Sequence, residues 1–261
     1  MKIPIYQVDA FTSELFSGNP AAVCILDEWL DDERLQAIAA ENNLSETAFL
    51  LQRNGEFEIR WFTPVTEVSL CGHATLASAF VVFNYMEWSE DIIHFQSLKS
   101  GTLTVTRNKE LLEMDFPAKP PSKQAAPERL SDIFNHSPLE VLGVGEYLLV
   151  VFEDEHIVRE LKPDFPLLMQ IEQRATIVSA PGDECDFVSR FFAPRVGIPE
   201  DPVTGSAHCI LIPYWASRLS KRKLHAIQVS KRGGELFCED RGDRVTIAGK
   251  AALYLEGKIS I

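Results

Sequence analysis

FEIRWFTP, residues 57–64, returns as FVSRFFAP, residues 187–194. Phe, Arg, Phe and Pro hold their places, and Trp61 is answered by Phe191. The copies lie 130 residues apart, about half of the 261-residue chain. Four identities in eight can arise by chance, so a duplication must show further matches in the same order. Gly72 and Ala74, in CGHATLASAF, meet Gly205 and Ala207, in TGSAHCILIPYW, at an offset of 133. FQSLKSG (95–101) then meets IQVSKRG (227–233), sharing Gln, Lys and Gly at an offset of 132. Colinear matches at nearly one spacing favour two copies of one unit, with a small insertion between the first two matches. The period is far too long for a solenoid.

Residues 117–129, PAKPPSKQAAPER, carry Pro117, Pro120, Pro121 and Pro127. Proline at this density blocks helix and central strand and reads as a linker. The expected domains are therefore 1–117 and 118–261.

Within each half the fold class reads as α+β. AAVCIL, TAFLLQ and FEIRWF are strands by apolar, β-branched and aromatic content, as are YLLVVF, ATIVSAP, FVSRFFA, DRVTIAG and ALYLEG. GTLTVTRNKELLEMDF reads as a hairpin turning near Asn108 and Lys109. DDERLQAIAAENN (31–43) opens acidic, as suits a helix N-terminus, and sets Leu35, Ile38 and Ala39 on one face. Residues 73–86 and 206–217 are helix-length and apolar on nearly all sides, the mark of buried helices. Each half is thus expected to be a curved sheet around one central helix. Pro213 predicts a kink or a shorter second helix.

The bulk composition narrows the function classes. With 46% hydrophobic and 24% charged residues the chain is an ordinary globular protein. Its net charge of −13 disfavours a nucleic-acid partner. No signal peptide or membrane-length apolar run is visible, and the five scattered cysteines read as reduced thiols, so a cytoplasmic location is expected.

Both buried helices begin at a glycine, Gly72 and Gly205. The first N–H groups of a helix have no internal partner and favour an anion. Two such starts facing one cleft would hold a substrate carboxylate. Glu46 precedes a strand, and Asp201 lies four residues before Gly205. Carboxylates in a desolvated cleft are good proton carriers. His73, in the first turn of its helix, is expected to be largely neutral there. Read singly, these residues also have plain structural roles: turn glycines, solvated carboxylates, a structural histidine, and a capping serine at Ser206. No dinucleotide, phosphate-loop or serine-nucleophile motif is present, and Cys71-x-His73 is only a weak hint of a metal site. No metal or cofactor is expected.

SETAF, RWFTPVTEVSLCGHAT, EDPVTGSAH and the N-terminal DAFTSELFSGNPAAV together resemble the PhzF family, named for the phenazine-biosynthesis isomerase. The likeness spans essentially the whole chain. It implies a diaminopimelate-epimerase-like fold, two similar domains with the active site between them, and a homodimer. It also implies a cofactor-independent isomerase in which Glu46 is the general acid/base, assisted by His73 and Asp201. Gly72, Gly205 and Ser206 would line a small carboxylate-bearing substrate. Related epimerases and proline racemases use one cysteine per domain. Here Cys71 aligns with Thr204, and 130 residues on from Glu46 stands Thr176. That asymmetry favours one carboxylate that takes a proton and returns it elsewhere. The alternative is a non-catalytic binding or regulatory protein that kept the cleft.

Overall fold

The computed structural model describes residues 1–53 and 55–261. Contacts divide them into two compact units, Met1–Asp115 with Ala248–Ile261, and Phe116–Ile247. The first unit contains β1 (Lys2–Ala10), β2 (Asn19–Leu26), α1 (Asp32–Asn42), β3 (Glu46–Arg53), β4 (Glu56–Phe62), β5 (Glu67–Val68), α2 (Gly72–Tyr85), β6 (Ile92–Ser97), β7 (Gly101–Asn108) and most of β8 (Leu111–Pro117). The second contains β9 (Ser122–Lys123), α3 (Leu130–Phe134), β10 (Glu140–Val144), β11 (Tyr147–Val151), α4 (Glu155–Glu160), α5 (Phe165–Leu168), β12 (Ala175–Pro181), β13 (Phe187–Ala193), β14 (Ile198–Asp201), α6 (Gly205–Leu219), β15 (Lys223–Gln228), β16 (Gly234–Asp240) and most of β17 (Arg244–Gly249). The last strand, β18 (Ala251–Ser260), pairs antiparallel with β1. The expected second domain of 118–261 therefore differs at its end, where the final strand joins the first unit.

The pairing pattern repeats. In the first unit β2 runs parallel to β3, β3 antiparallel to β4, β4 parallel to β6, and β6 antiparallel to β7. In the second, β11, β12, β13, β15 and β16 follow the same sequence of directions. Trp61 pairs with Val68 as Phe191 pairs with Asp201, so the offset grows from 130 to 133 between those strands. The three extra residues fall at the 3₁₀ turn Pro194–Val196 and Gly197. The duplicated arginine keeps its partners as well. Arg60 Nε donates to Glu67 Oε1 at 2.8 Å, and Arg190 Nε to Glu200 Oε1 at 2.7 Å. Each guanidinium also lies over the phenylalanine two residues on, Phe62 or Phe192. Register corrects two of the sequence matches. Thr47 and Thr176 occupy equivalent places, opposite Phe62 and Phe192, so the counterpart of Glu46 is Ala175 and not Thr176. Gln96 likewise matches Ile227, one residue before Gln228.

Helix α1 forms where expected, capped by Asp31 and burying Leu35, Ile38 and Ala39. The β7–β8 hairpin turns at Lys109, whose φ is +57°. α2 buries every residue from His73 to Ala79 and again Val81 to Phe83, packed on β1, β2, β3 and β18. α6 is buried likewise but does not stop at Pro213; it runs on to Leu219. Proline at that place lacks the N–H that would bond the carbonyl of Cys209. The N–H of Lys119 takes that carbonyl instead, at 2.8 Å. The proline-rich segment is thus docked in the second unit, with β9 paired to β10. Among the described residues no helix is long and apolar enough to cross a membrane.

Candidate active site

In the first unit, three elements meet at the start of α2. Packing of α1 on β3 sets where that strand begins, and its first residue is Glu46. Parallel pairing of β3 with β2 sets Glu46 opposite Ala21, beside the buried Asn19. The α2 N-cap, Cys71, has extended backbone and makes no side-chain cap, and His73 stands two residues on. The N–H groups of Gly72 and His73 have no partner within the helix.

Glu46 Oε2 lies 3.0 Å from His73 Nε2, with side chains only 13% and 7% exposed. That oxygen has no aligned hydrogen-bond donor among the described residues, so the attraction is mainly that of charge. On the other side of the ring, Nδ1 lies 3.2 Å from the Asn19 amide nitrogen and 3.5 Å from Cys71 Sγ. Turning its amide lets Asn19 donate to a neutral ring or accept from a charged one.

His73 is not the neutral imidazole expected. Burial alone would lower its pKa, but it is raised well above the ordinary value. Burial pushes the Cys71 thiol up to about 11, so it is uncharged at neutral pH. The neighbouring Cys71 sulfur and the Glu46 carboxylate are what raise the His73 pKa against burial.

The second unit carries the matching junction. Asp201 ends β14, and its carboxylate accepts from the Thr204 hydroxyl. Thr204, the α6 N-cap, is extended and uncapped by its own side chain, like Cys71. Ser206 is exposed and lies inside the first turn, so it is not the cap. Gln228, fully buried, accepts from Thr204 N at 2.9 Å and donates to the Asp201 carbonyl at 2.9 Å. His208 is also fully buried, and its Nδ1 donates to the Thr204 carbonyl at 2.9 Å. Burial lowers its pKa to about 4, so the ring is neutral.

Glu46, Gly72 and His73 thus come together in one unit, and Asp201, Gly205 and Ser206 in the other. Asn19 and Gln228 had been missed as parts of these junctions. Asn19 sat in the quoted SGNPAAV, and Gln228 in a repeated segment, but neither carried a chemical signature. A separate hollow of about 570 Å³ on the first unit is lined by Asp32, Glu33 and Glu67 among others. It holds none of the site residues.

A family model described as "Phenazine biosynthesis-like protein" matches residues 8–257. A Pseudomonas aeruginosa protein named as an uncharacterized isomerase is 52% identical over 261 residues, covering all of both chains. The crystal structure of a PhzF-family phenazine biosynthesis protein from Enterococcus faecalis superposes with a TM-score of 0.97 at 46% identity, covering all of both chains. A predicted epimerase from Pseudomonas aeruginosa, 19% identical, shares the fold at a TM-score of 0.73 over 98% of this chain and 99% of its own. The fold is the duplicated diaminopimelate-epimerase-like one, α+β in each unit.

Proposed function

Since this chain belongs to the phenazine biosynthesis-like family, we propose that it is a cofactor-independent isomerase or epimerase moving a proton between carbons of a small amino-acid-like carboxylate. The observation that carries this reading is the pairing of the partly buried Glu46 with the buried His73 at the uncapped start of a buried helix. Isomerase names on close relatives support it.

In the proposed reaction the substrate carboxylate is held by the N–H groups at Gly72 and Gly205. Glu46 takes a proton from carbon as general base. The electron pair delocalises into an adjacent π-system or carboxylate. His73 and the helix N–H groups stabilise the growing negative charge. Asp201 holds the substrate amino or hydroxyl group, and Ser206 lines the substrate. Glu46 then returns the proton to another carbon. Its counterpart Ala175 cannot act as a second base, which favours one residue acting as both base and acid.

The test is a panel of small amino and hydroxy acids incubated with the protein in heavy water. Wild type is expected to place deuterium on carbon in at least one of them. Glu46→Gln is expected to lose that exchange by about 10²–10⁴-fold. Undiminished exchange in the variant removes Glu46 from this role.

A further inference from the structure

We propose that Glu46, Cys71 and His73 form a binding site for a thiophilic divalent cation of the zinc class, and that the bound ion blocks proton transfer. The blockade rests on the function proposed above; the cation site does not.

The Cys71-x-His73 pair looked weak as a sequence pattern because its third member comes from another element. β3 supplies it. One oxygen of Glu46, the sulfur of Cys71 and one ring nitrogen of His73 lie within 4.8 Å of one another. Nε2 is the shared corner, 3.9 Å from Sγ and 3.0 Å from Oε2. Tetrahedral zinc with ordinary bond lengths needs ligand separations of about 3.4–3.6 Å. The observed distances fall on either side of that range, and closing the set requires the sulfur, now 3.5 Å from Nδ1, to swing towards the Nε2 side of the ring.

Three further features fit a cation. Thiolate and carboxylate together offset a double positive charge, leaving the start of α2 without excess cation. A metal-bound imidazole needs its other nitrogen held, and Asn19 lies 3.2 Å from Nδ1. Sulfur and imidazole ligands select zinc or cobalt over magnesium and calcium. On binding, the Cys71 thiol and the His73 cation release their protons to solvent, and no electron is transferred. Glu46, as a ligand, can no longer accept a proton from carbon. Three protein ligands leave a fourth position for water or a substrate oxygen.

Cobalt(II) titrated into the reduced, full-length protein should give a thiolate-to-cobalt charge-transfer band that saturates at one equivalent and is displaced by zinc. Cys71→Ser should abolish the band and weaken binding at least tenfold. Cys185→Ser, changing the one half-buried thiol, should keep both. X-ray absorption on zinc-loaded wild type should show one sulfur among nitrogen and oxygen ligands, a readout that needs no variant to fold. No band at one equivalent, a band that survives Cys71→Ser, or a sulfur-free shell overturns the site. Zinc that binds without slowing deuterium exchange overturns the blockade. The absorption readout is independent of catalysis, so failure of the cation site is distinct from failure of the proposed reaction.

Discussion

Replacing the two equivalent arginines by methionine should cost very different amounts, although the sequence repeat makes them twins. Arg190 donates two bonds to Glu200, at 2.7 and 3.0 Å. Its Nη1 also donates to the carbonyls of Val158 and Leu161, at 3.1 and 2.8 Å. Those carbonyls lie at the end of α4, where the last acceptors have no donor from within the helix. Arg190→Met strips its arginine from Glu200, whose side chain is 23% exposed, at about 3 kcal/mol, the low end for a broken buried pair, and frees two carbonyls at about 1 kcal/mol each where water partly replaces the donor. A cost near 5 kcal/mol is expected. Arg60 bonds Glu67 and Asp32, but Glu67 keeps Lys99 at 2.7 Å and Asp32 is 79% exposed. With a carboxylate still paired and a weak surface contact, Arg60→Met should cost about 2 kcal/mol. The difference, about 3 kcal/mol, corresponds to a midpoint gap of roughly 6–12 °C for a protein of this size. Thermal and denaturant unfolding of both variants measure it. Equal midpoints, or a larger loss in Arg60→Met, would refute the argument that the carbonyls and the missing second cation set the cost.

Three other outcomes follow from the site. Glu46→Gln should lower the His73 pKa, read from the ring resonances by NMR; an unmoved titration means that Glu46 is not what holds the proton. The sign for stability runs with it: a raised folded pKa means that the His73 contribution is fully present below pH 6.5 and lost as pH climbs through the folded value. His208 has the opposite sign. With its pKa lowered to about 4, stability should fall by roughly a kcal/mol per pH unit as pH drops from 6.5 towards that value. His208→Asn, whose amide can replace the Nδ1 donor, should flatten that slope; a slope that persists assigns it elsewhere. Gly18→Ala should cost about 2–4 kcal/mol, because Gly18 has φ +65° and an added Cβ would stand 2.2 Å from the Ala10 carbonyl oxygen. Its displacement should also move Asn19 from the His73 ring, seen as a changed ring resonance; a fold and spectrum like wild type would show that the turn tolerates a side chain.

What could be read in the sequence was what local chemistry determines. The acidic opening of α1 and its apolar face at Leu35, Ile38 and Ala39 needed no distant contact. The repeated FEIRWFTP carried the duplication because the same residues make the same strand and the same arginine clasp twice. The rest depended on partners far along the chain. β18 returns to β1 across nearly the full sequence, and no local pattern announces that pairing. Pro213 stays in its helix because Lys119, remote in sequence, supplies the missing donor. The His73 pKa is raised against burial because Cys71 stands beside the ring and β3 delivers a carboxylate to its far nitrogen. The partner of Glu46 across the repeat was misjudged by one residue, since a constant offset ignores the single-residue slip between strands that register reveals.

The central claim is that Glu46 carries the proton. Its most direct test is a crystal structure of the protein with an exchange-active acid from the heavy-water panel. The account predicts a substrate C–H carbon about 3–3.5 Å from a Glu46 carboxylate oxygen, with the ligand carboxylate against the N–H groups that open α2. A ligand whose exchanging carbon lies beyond reach of Glu46, or a Glu46 turned into bulk solvent, contradicts it.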